Sequence, residues 1–334
     1  MADYYFGIDV SKKKIDIAVV RDGAVISKHV VENTQACIED FFAPYLKNFQ
    51  LAGDGAWACM EHTGIYCYPS LKSLGKLGIK ACVEPPMQIK KSQGMVRGKT
   101  DAVDAVRIAQ YAYKNRESLK EWKPKSESLQ KIKALLSQRE RLVKVKGQLQ
   151  VPVQECEGFV DPSIAKELSA TVKNTISAIE KDLGKIEAKI HAVVKADEKI
   201  SAQFARATSV DGIGFVTALY MIVESGGFEQ IKSAKSFACH AGVAPFPYNS
   251  GTSVKGRPRV SRMANMNLKR LLHMAAMSAI QSSAEIKQYY ERKVAEGKNK
   301  MLVLNAVRNK LIKRVFVCIT QERTYEKIYK HALA

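Results

Sequence analysis

The first 31 residues contain three short apolar segments separated by tight turns. The segments run from Tyr4 to Val10, from Ile15 to Val20 and from Ala24 to Val31. Lysine residues separate the first two segments, and Arg21-Asp22-Gly23 separates the second from the third. Short apolar segments joined by such turns are typical of neighbouring antiparallel strands. The sequence therefore predicts a three-stranded meander, which strongly limits the folds open to the chain.

After the meander, helical and strand patterns alternate as far as residue 113. Helices are predicted near Ile38–Phe49, Ser70–Leu77 and Asp101–Tyr113, and strands at Trp57–Glu61 and Lys80–Glu84. Three antiparallel strands followed by alternating helices and strands are the element order of an α/β ribonuclease-H-like (RuvC-like) domain. We expect this domain to occupy residues 1–125.

A seam of aliphatic side chains characterises the next segment. Successive seam residues are spaced 4, 3, 4, 3, 4 and 3 apart: Val172, Ile176, Ile179, Leu183, Ile186, Ile190 and Val193. This heptad pattern is typical of a long helix packed against another helix. A second amphipathic stretch begins at Leu129, and breaks are expected at Pro152, Gly158 and Pro162. We expect residues 126–200 to form a long helical coiled-coil linker, either as a hairpin within one chain or as a coil between two chains.

Residues 201–334 are predicted to form a mostly α-helical domain that ends in basic helices, such as Met301–Thr320. The whole chain carries 53 Lys and Arg against 33 Asp and Glu, a net charge of +20. Residues 251–334 hold 18 basic and 5 acidic side chains, a net charge of +13. An excess of this size favours a polyanionic partner, above all nucleic acid.

Membrane, secreted and disulfide-stabilised classes are disfavoured. The longest apolar stretch, Phe215–Val223, is shorter than the roughly 20 residues of a membrane span. No basic segment followed by an apolar one marks a secretory signal. The 7 cysteines form no CxxC pair, which argues against a disulfide framework or a zinc ribbon. We expect a reduced cytoplasmic protein of a bacterium or archaeon, associated with the nucleoid when active and without a membrane partner.

Four carboxylates are candidate metal ligands. Asp9 lies inside the first apolar strand, Glu61 ends the strand Trp57–Glu61, and Asp101 and Asp104 share one face of a helix. Alone, the last pair is also typical of a helix N-terminus, where the helix dipole favours acidic residues. On the expected fold, the first strand, the fourth strand and this helix converge at one edge of the sheet. Clustered carboxylate oxygens suit Mg²⁺ or Mn²⁺, so we expect these four residues to bind metal and to act in catalysis.

Two glycine-containing segments of the C-terminal domain are candidate phosphate contacts. Gly212 and Gly214 flank an apolar residue before a helix, a pattern shared by helix-hairpin-helix phosphate sites and by plain helix–helix turns. Ser250 lies beside a glycine in a loop that three basic residues follow, namely Lys255, Arg257 and Arg259. The residues alone favour a loop that contacts phosphate, because serine attacks phosphorus only when it is activated and positioned.

Taken together, these segments resemble a known family. The chain is similar to insertion-sequence transposases that join a RuvC-like DEDD domain to a serine-bearing C-terminal transposase domain. These proteins are also described as bridge-RNA-guided DNA recombinases, and pilin-gene invertases are their relatives. The matching segments occur in family order: Gly7–Lys12, Glu61–Tyr66, Lys99–Ala105, Gly212–Gly214, Gly242–Pro245, Ser250–Gly251 and Ser261–Leu272.

The resemblance implies that Asp9, Glu61, Asp101 and Asp104 are the DEDD tetrad and that Ser250 forms a covalent phosphoserine link to DNA. It also implies a composite site assembled across the subunits of a homo-oligomer, as a dimer or as a tetramer in the active complex. A structured non-coding guide RNA would pair with double-stranded donor and target DNA. The nucleic-acid-binding residues that we predict are Gly212, Gly214, Lys255, Arg257, Arg259, Arg262, Lys269 and Arg270.

The chain departs from the family pattern at two places. Asn249 precedes Ser250 where the family often has a second serine, and Ser261-Arg262-Met263-Ala264-Asn265 replaces the usual Ser-Lys-x-Gly-Asn. The leading prediction is a transposase or site-specific DNA recombinase. The alternatives are a metal-dependent Holliday-junction-type endonuclease that uses water, a DNA invertase without an RNA guide, and a non-catalytic nucleic-acid scaffold.

Overall fold

The computed structural model describes residues 4–49, 53–92, 100–156, 158–250, 254–261 and 263–326. The chain divides into two compact units, Met1–Pro124 and Lys125–Ala334. No helix within the described ranges is long and apolar enough to cross a membrane.

The first unit combines a sheet with helices. Its strands are β1 (Tyr4–Val10), β2 (Lys14–Arg21), β3 (Ala24–Glu32), β4 (Gly53–Glu61) and β5 (Ile79–Glu84). Its helices are α1 (Gln35–Phe49), α2 (Tyr68–Lys76), α3 (Pro86–Ser92) and α4 (Asp101–Lys114), with a one-turn 3₁₀ helix at Gly64–Cys67. The helix α3 has no counterpart in the sequence prediction.

The strands form one mixed sheet in the order β3-β2-β1-β4-β5. Antiparallel pairing joins β1 to β2 and β2 to β3, whereas β1, β4 and β5 run parallel to one another. The mixed sheet confirms the predicted element order of the ribonuclease-H-like domain. It also makes β1 the central strand, with the ends of β1 and β4 at the same edge.

Alternating residues of β1 contribute to two separate cores, because successive side chains of a strand point to opposite faces. Phe6 and Ile8 pack with Phe42 of α1 and Leu74 of α2 on one face. Tyr5 packs on the other face with residues of α4, including Ile108. Gly7 and Asp9 share the face of Tyr5 and therefore face α4.

The second unit is mostly helical. Its helices are α5 (Glu127–Cys156), α6 (Pro162–Ala196), α7 (Glu198–Thr208), α8 (Phe215–Glu224), α9 (Ala234–His240), α10 (Met266–Ser282), α11 (Ala284–Ala295) and α12 (Lys300–Thr320). Its two strands, β6 (Phe246–Ser250) and β7 (Val254–Arg259), pair in an antiparallel hairpin. The sequence patterns did not predict this hairpin.

The helices α5 and α6 pack against each other within the chain. Arg139 lies 2.7 Å from Glu187, and Lys146 lies 2.6 Å from Glu180. From the first contact to the second, the residue number rises on α5 and falls on α6, so the two helices are antiparallel. All seven seam residues of α6 are buried or half-buried, so the seam is used in a hairpin of one chain. The expected break at Pro152 is wrong, because α5 continues to Cys156.

The C-terminal helix α12 belongs to the core of the second unit. Val307, Leu311, Ile312 and Val315 are each 0% exposed and cluster with residues of α8 and α10. The predicted helix Met301–Thr320 is present as Lys300–Thr320, and besides its basic residues it has a buried apolar face. Its apolar face is needed to close the core.

Candidate active site

Asp9 lies at the centre of the sheet edge where β1 and β4 end. In the β1–β2 pair it is opposite Asp16, and in the parallel β1–β4 pair Ile8 is the partner of Met60. The next residues along these two strands are Asp9 and Glu61, so neighbouring strands carry both carboxylates at the same level. Asp9 and Glu61 are each half-buried.

Gly7 allows α4 to approach this edge closely. A Cβ atom on Gly7 would lie 2.2 Å from the carbonyl oxygen of Ala105 and 2.2 Å from the amide nitrogen of Ala109. Only glycine permits that approach. Thr100 caps the helix, because its Oγ1 accepts a hydrogen bond from the Val103 amide at 3.3 Å. The first turn of α4 therefore brings Asp101 towards Asp9.

The carboxylates interact electrostatically. Burial raises the pKa of Asp9, and together with the negative charges of Asp101, Asp104, Glu61 and Asp16 it brings that pKa to about 6. The structure thus brings the four predicted carboxylates together, with Asp16 as a fifth. Like charges this close disfavour full ionisation unless a cation neutralises them.

Two basic side chains partly neutralise the cluster. The Nζ atom of Lys14 lies 3.0 Å from Asp16 and 3.1 Å from Asp101. Arg107 lies 2.8 Å from Asp104, one turn along α4. Asp9 still has several carboxylates around it, and their combined negative charge would favour a divalent cation beside it.

The residue types fit a divalent metal, but the described residues do not form a finished metal centre. No group of three or more His, Cys, Asp or Glu side chains among the described residues is arranged to hold an ion. Carboxylate oxygens are the ligands that Mg²⁺ and Mn²⁺ prefer. The cluster therefore has the chemistry that such a metal needs, and Lys14 and Arg107 contact oxygen atoms of Asp16, Asp101 and Asp104.

Two carboxylates of this edge escaped the sequence reasoning. Asp16 is only 5% exposed and lies between Ile15 and Ile17 in β2, which is the same pattern that singled out Asp9. Glu84 ends β5 and pairs in register with Glu61. The signal that could have found both is an acidic residue where a strand reaches this edge of the sheet: near the start of β2 for Asp16 and at the end of β5 for Glu84.

Ser250 is the last residue of β6 in the second unit. Its backbone pairs with Val254, Asn249 pairs with Lys255, and Phe246 pairs with Arg259. Arg257 lies on β7 between these pairs. The hairpin therefore places the predicted serine and the three predicted basic residues on two adjacent strands, whereas Arg262 lies outside the described residues.

Gly212 and Gly214 lie in the α7–α8 connection but have different surroundings. Gly212 has a φ of +87°, and a Cβ atom there would lie 2.6 Å from the carbonyl oxygen of Ala275 in α10. Close helix packing thus accounts for this glycine without a phosphate. Gly214 is the N-terminal cap residue of α8, is exposed, and has open space where a Cβ atom would lie.

Lys269 and Arg270 belong to the first turns of α10. Arg270 lies 3.5 Å from Glu140 of α5 and donates to Asn267 at 2.9 Å. Glu140 also accepts hydrogen bonds from Asn267 and from Tyr220, and burial raises the pKa of Tyr220 to about 12. Arg270 is therefore part of a polar network between helices, whereas Lys269 is half-exposed.

Two family models match the chain in order. The model DEDD_Tnp_IS110, described as a transposase, matches residues 6–155, and the model described as the transposase IS116/IS110/IS902 family matches residues 205–291. The chain belongs to the IS110/IS116 family of transposases. The family's DEDD model covers the carboxylate edge, and its second model covers Ser250. The chain is accordingly a DNA transposase/recombinase enzyme.

Full-length relatives support this assignment. The chain is 24% identical over 340 residues to the pilin gene-inverting protein of Moraxella lacunata, covering 98% of this chain and 99% of that protein. It is 24% identical over 277 residues to the transposase for insertion sequence element IS1111A of Coxiella burnetii, covering 75% and 74%. Among solved structures, RuvC from T. thermophilus in complex with a Holliday junction substrate covers 35% of this chain and 98% of RuvC, at 15% identity. The TM-score of this match is 0.28.

Proposed function

We propose that this transposase cuts and rejoins DNA strands, with a divalent metal at Asp9, Glu61, Asp101 and Asp104 and with Ser250 as the nucleophile. The observation that carries the proposal is the convergence of the four carboxylates around Asp9. A cluster of like charges at the end of a central strand is costly for folding, and a phosphate-handling metal site explains it best.

The metal would be Mg²⁺ or Mn²⁺, and when bound it stabilises negative charge on the reacting phosphate. The chain itself supplies the positioning. β1 and β4 hold Asp9 and Glu61 at one level, and the close approach of α4 over Gly7 adds Asp101 and Asp104. Lys14 and Arg107 keep the cluster partly neutral when no metal is present.

The proposed role of Ser250 is a transesterification. A bond forms between its Oγ and the DNA phosphorus, the bond from phosphorus to one sugar oxygen breaks, and a free hydroxyl end is released. The serine proton leaves to a base or to solvent. Because the phosphoester is retained, attack by another hydroxyl end rejoins the strand without ATP. The position of Ser250 beside β7 and its basic residues supports this role.

A recombination assay tests both parts. The gene with its own flanking DNA is placed on a plasmid, and excised, inserted or inverted junctions are counted by quantitative sequencing. We expect Asp9→Asn and Ser250→Ala each to lower the count by at least about 10³-fold. The matched controls are Asp22→Asn, at an exposed turn, and Ser253→Ala and Ser261→Ala, which test the other serines of the segment.

A gel assay under denaturing conditions separates the mechanisms. The serine mechanism predicts a protein–DNA adduct that survives detergent, maps to Ser250 and is absent from Ser250→Ala. Full DNA cleavage by Ser250→Ala would refute the serine mechanism and favour a metal-dependent endonuclease that uses water. Full recombination by Asp9→Asn would refute the metal site.

We further propose double-stranded donor and target DNA and a structured guide RNA as partners. The net charge of +20 supports polyanion binding without specifying bases. Sequencing RNA that copurifies with the chain should reveal a transcript of the DNA beside the gene. If recombination continues after that flanking segment is replaced, the RNA guide is refuted.

A homo-oligomer is the last part of the proposal. The far end of the α5–α6 hairpin exposes several apolar side chains, including Phe159 at 89%, Ile164 at 50% and Leu168 at 41%. Exposed apolar groups in this number are typical of association surfaces. Light scattering should give at least a dimer mass, and Phe159→Ser with Ile164→Ser should shift the mass towards the monomer.

A further inference from the structure

A second feature lies beside the carboxylate edge. Directly after Glu61, the one-turn 3₁₀ helix Gly64–Cys67 and the start of α2 expose three large apolar or aromatic side chains. Ile65 is 80% exposed, Tyr66 is 38% exposed and Tyr68 is 53% exposed. Three such residues within four positions are unfavourable on a surface that serves no purpose.

The buried side chain of Cys67 anchors this turn through contacts of its sulfur atom. This residue is only 3% exposed, and its Sγ donates to the carbonyl oxygen of Glu61 at 3.3 Å. The amide of Thr63 donates to the same sulfur at 3.4 Å, and Thr63 Oγ1 lies 3.1 Å from it. The exposed side chains are therefore carried on a turn tied to the backbone of a candidate catalytic residue.

Asn33 ties the same turn to the other side of the carboxylate edge. Its Nδ2 donates to the carbonyl oxygen of Tyr66 at 3.1 Å and to that of Ser11 at 2.8 Å. Its backbone amide donates to the carbonyl oxygen of Lys13 at 2.9 Å. The aromatic turn and the turn that follows Asp9 thus share one hydrogen-bonding residue.

The chemistry of the two turns is complementary to a single nucleic-acid strand. Lys12 and Lys13 are exposed on the turn after Asp9 and supply positive charge for phosphates. Tyr66 and Tyr68 offer flat rings, and Ile65 offers an apolar surface, on which an unpaired base can stack. The strands that carry Asp9 and Glu61 lead directly into these two turns.

We propose that Ile65, Tyr66 and Tyr68 form a stacking platform for an unpaired DNA base next to the phosphate that the carboxylate edge handles, with Lys12 and Lys13 contacting the adjoining backbone. The inference rests on the proposed DNA-cleaving function of this edge. It adds that the strand is held with at least one base out of the duplex stack. These residues position the DNA and take no part in bond breaking.

Binding measurements on the full chain test the platform. Two fluorescein-labelled 20-nucleotide strands are compared by anisotropy: oligothymidine and an abasic strand of the same length and charge, both in EDTA so that no cleavage occurs. Wild type should bind oligothymidine more tightly than the abasic strand. Tyr66→Ala and Tyr68→Ala should each reduce this ratio by about 5- to 100-fold, the range that stacking of one base provides.

The controls distinguish stacking from general damage. Tyr66→Phe keeps the ring and should keep the ratio. Ile26→Ala removes a side chain of similar exposure, 50%, from the edge strand β3 and should also keep it. The double variant Lys12→Ala with Lys13→Ala should weaken binding of both strands equally, because phosphate contacts do not depend on the base. The slope of log affinity against log salt concentration should become shallower by about 0.7 per lost contact.

Photocrosslinking locates the contact. A strand carrying 5-iododeoxyuridine should crosslink to the peptide that contains Tyr66 and Tyr68. An unchanged ratio in both alanine variants, or crosslinks confined to other peptides, would overturn the platform. A third outcome would also overturn the DNA proposal. If wild type bound oligothymidine and the abasic strand equally, and the alanine variants instead lost binding to oligouridine, the platform would be assigned to RNA. The binding readout needs no cleavage. A finding that the carboxylates take no part in cleavage would therefore refute the proposed function and leave the platform intact.

Discussion

The carboxylates of the first unit and the basic side chains of the second unit have opposite surroundings. At the sheet edge, the negative charges of Asp9, Asp101 and Asp104 lie close together, and Lys14 and Arg107 offset part of them. In the helical unit, several cations already have partners within the unit. The difference teaches that the acidic edge concentrates negative charge that a cation would relieve, whereas the net positive charge of the helical unit overstates what it can offer to DNA.

Three basic residues of the second unit illustrate this. Arg270 lies 3.5 Å from Glu140, and Arg314 lies 2.5 Å from Glu285. Arg308 is only 5% exposed and lies 2.7 Å from the ring nitrogen of His273. The segment's charge of +13 therefore includes side chains that serve packing.

The largest expected effect comes from Gly7→Ala, which tests whether the acidic edge depends on the close approach of α4. The new Cβ would lie 2.2 Å from two backbone atoms of α4, and backbone cannot yield as a side chain does. We expect a loss of about 3 kcal/mol or more in the free energy of unfolding, measured by urea denaturation, together with loss of recombination.

Gly147→Ala in α5 is the matched control for this change. A Cβ atom there meets nothing within 4 Å, and alanine favours a helix interior by about 0.5–1 kcal/mol. Stability should therefore rise. An equal response of the two glycines would contradict the packing of α4 on β1.

An intermediate effect is expected for Asp9→Asn, which removes the central charge of the edge. The native pKa of Asp9 is raised to about 6 from an ordinary value of 3.8. The native state therefore holds this proton more tightly, and metal-free wild type should lose stability as the pH rises from about 4 through 6. After allowance for solvent screening of this half-buried group, the loss should be about 1 kcal/mol.

Asp9→Asn should lack this pH-dependent loss and be the more stable protein above pH 6 without metal. Adding Mg²⁺ should then stabilise wild type more than the variant, as binding to the native state requires. Thermal unfolding across pH, with and without Mg²⁺, measures both. If Mg²⁺ stabilised the two proteins equally, Asp9 would not be a ligand.

The smallest expected effect concerns Glu140 and Arg270, on the basic side of the comparison. Their side chains are 44% and 64% exposed, so the ion pair should contribute only about 0.5 kcal/mol. A double-mutant cycle of Glu140→Gln and Arg270→Ala by urea denaturation should show this coupling at low salt. Zero coupling together with a large loss of DNA binding in Arg270→Ala would favour the predicted role of Arg270 in nucleic-acid binding over the ion pair.

The sequence was informative about the acidic edge because short apolar segments and the turns between them determine the order of strands and helices. The apolar neighbours of Asp9 predicted a strand around it, and the order of elements predicted that β1, β4 and α4 would converge. Asp16 was open to the same reasoning but was missed. Its contact with Lys14 could not be predicted, since a flexible side chain chooses among several neighbours.

The helical unit was less predictable. The pattern could not tell whether the α6 seam packs within the chain or between chains, because a heptad describes a face and not its partner. Gly212 matched a phosphate-binding turn in sequence, yet its contact with Ala275 gives a packing reason for the glycine. The roles of Ser250 and of the β7 basic residues remain predictions.

By itself, the sequence determined the element order of the first unit, the heptad seam and the presence of acidic residues at strand ends, because these follow from local patterns of apolar and polar residues. The tertiary structure decided that the seam closes on α5, that α12 lies in a core, and that Arg270 and Arg308 have partners inside the unit. It also decided that an exposed aromatic turn lies beside Glu61. These features depend on residues far apart in the chain, and only packing brings them into contact.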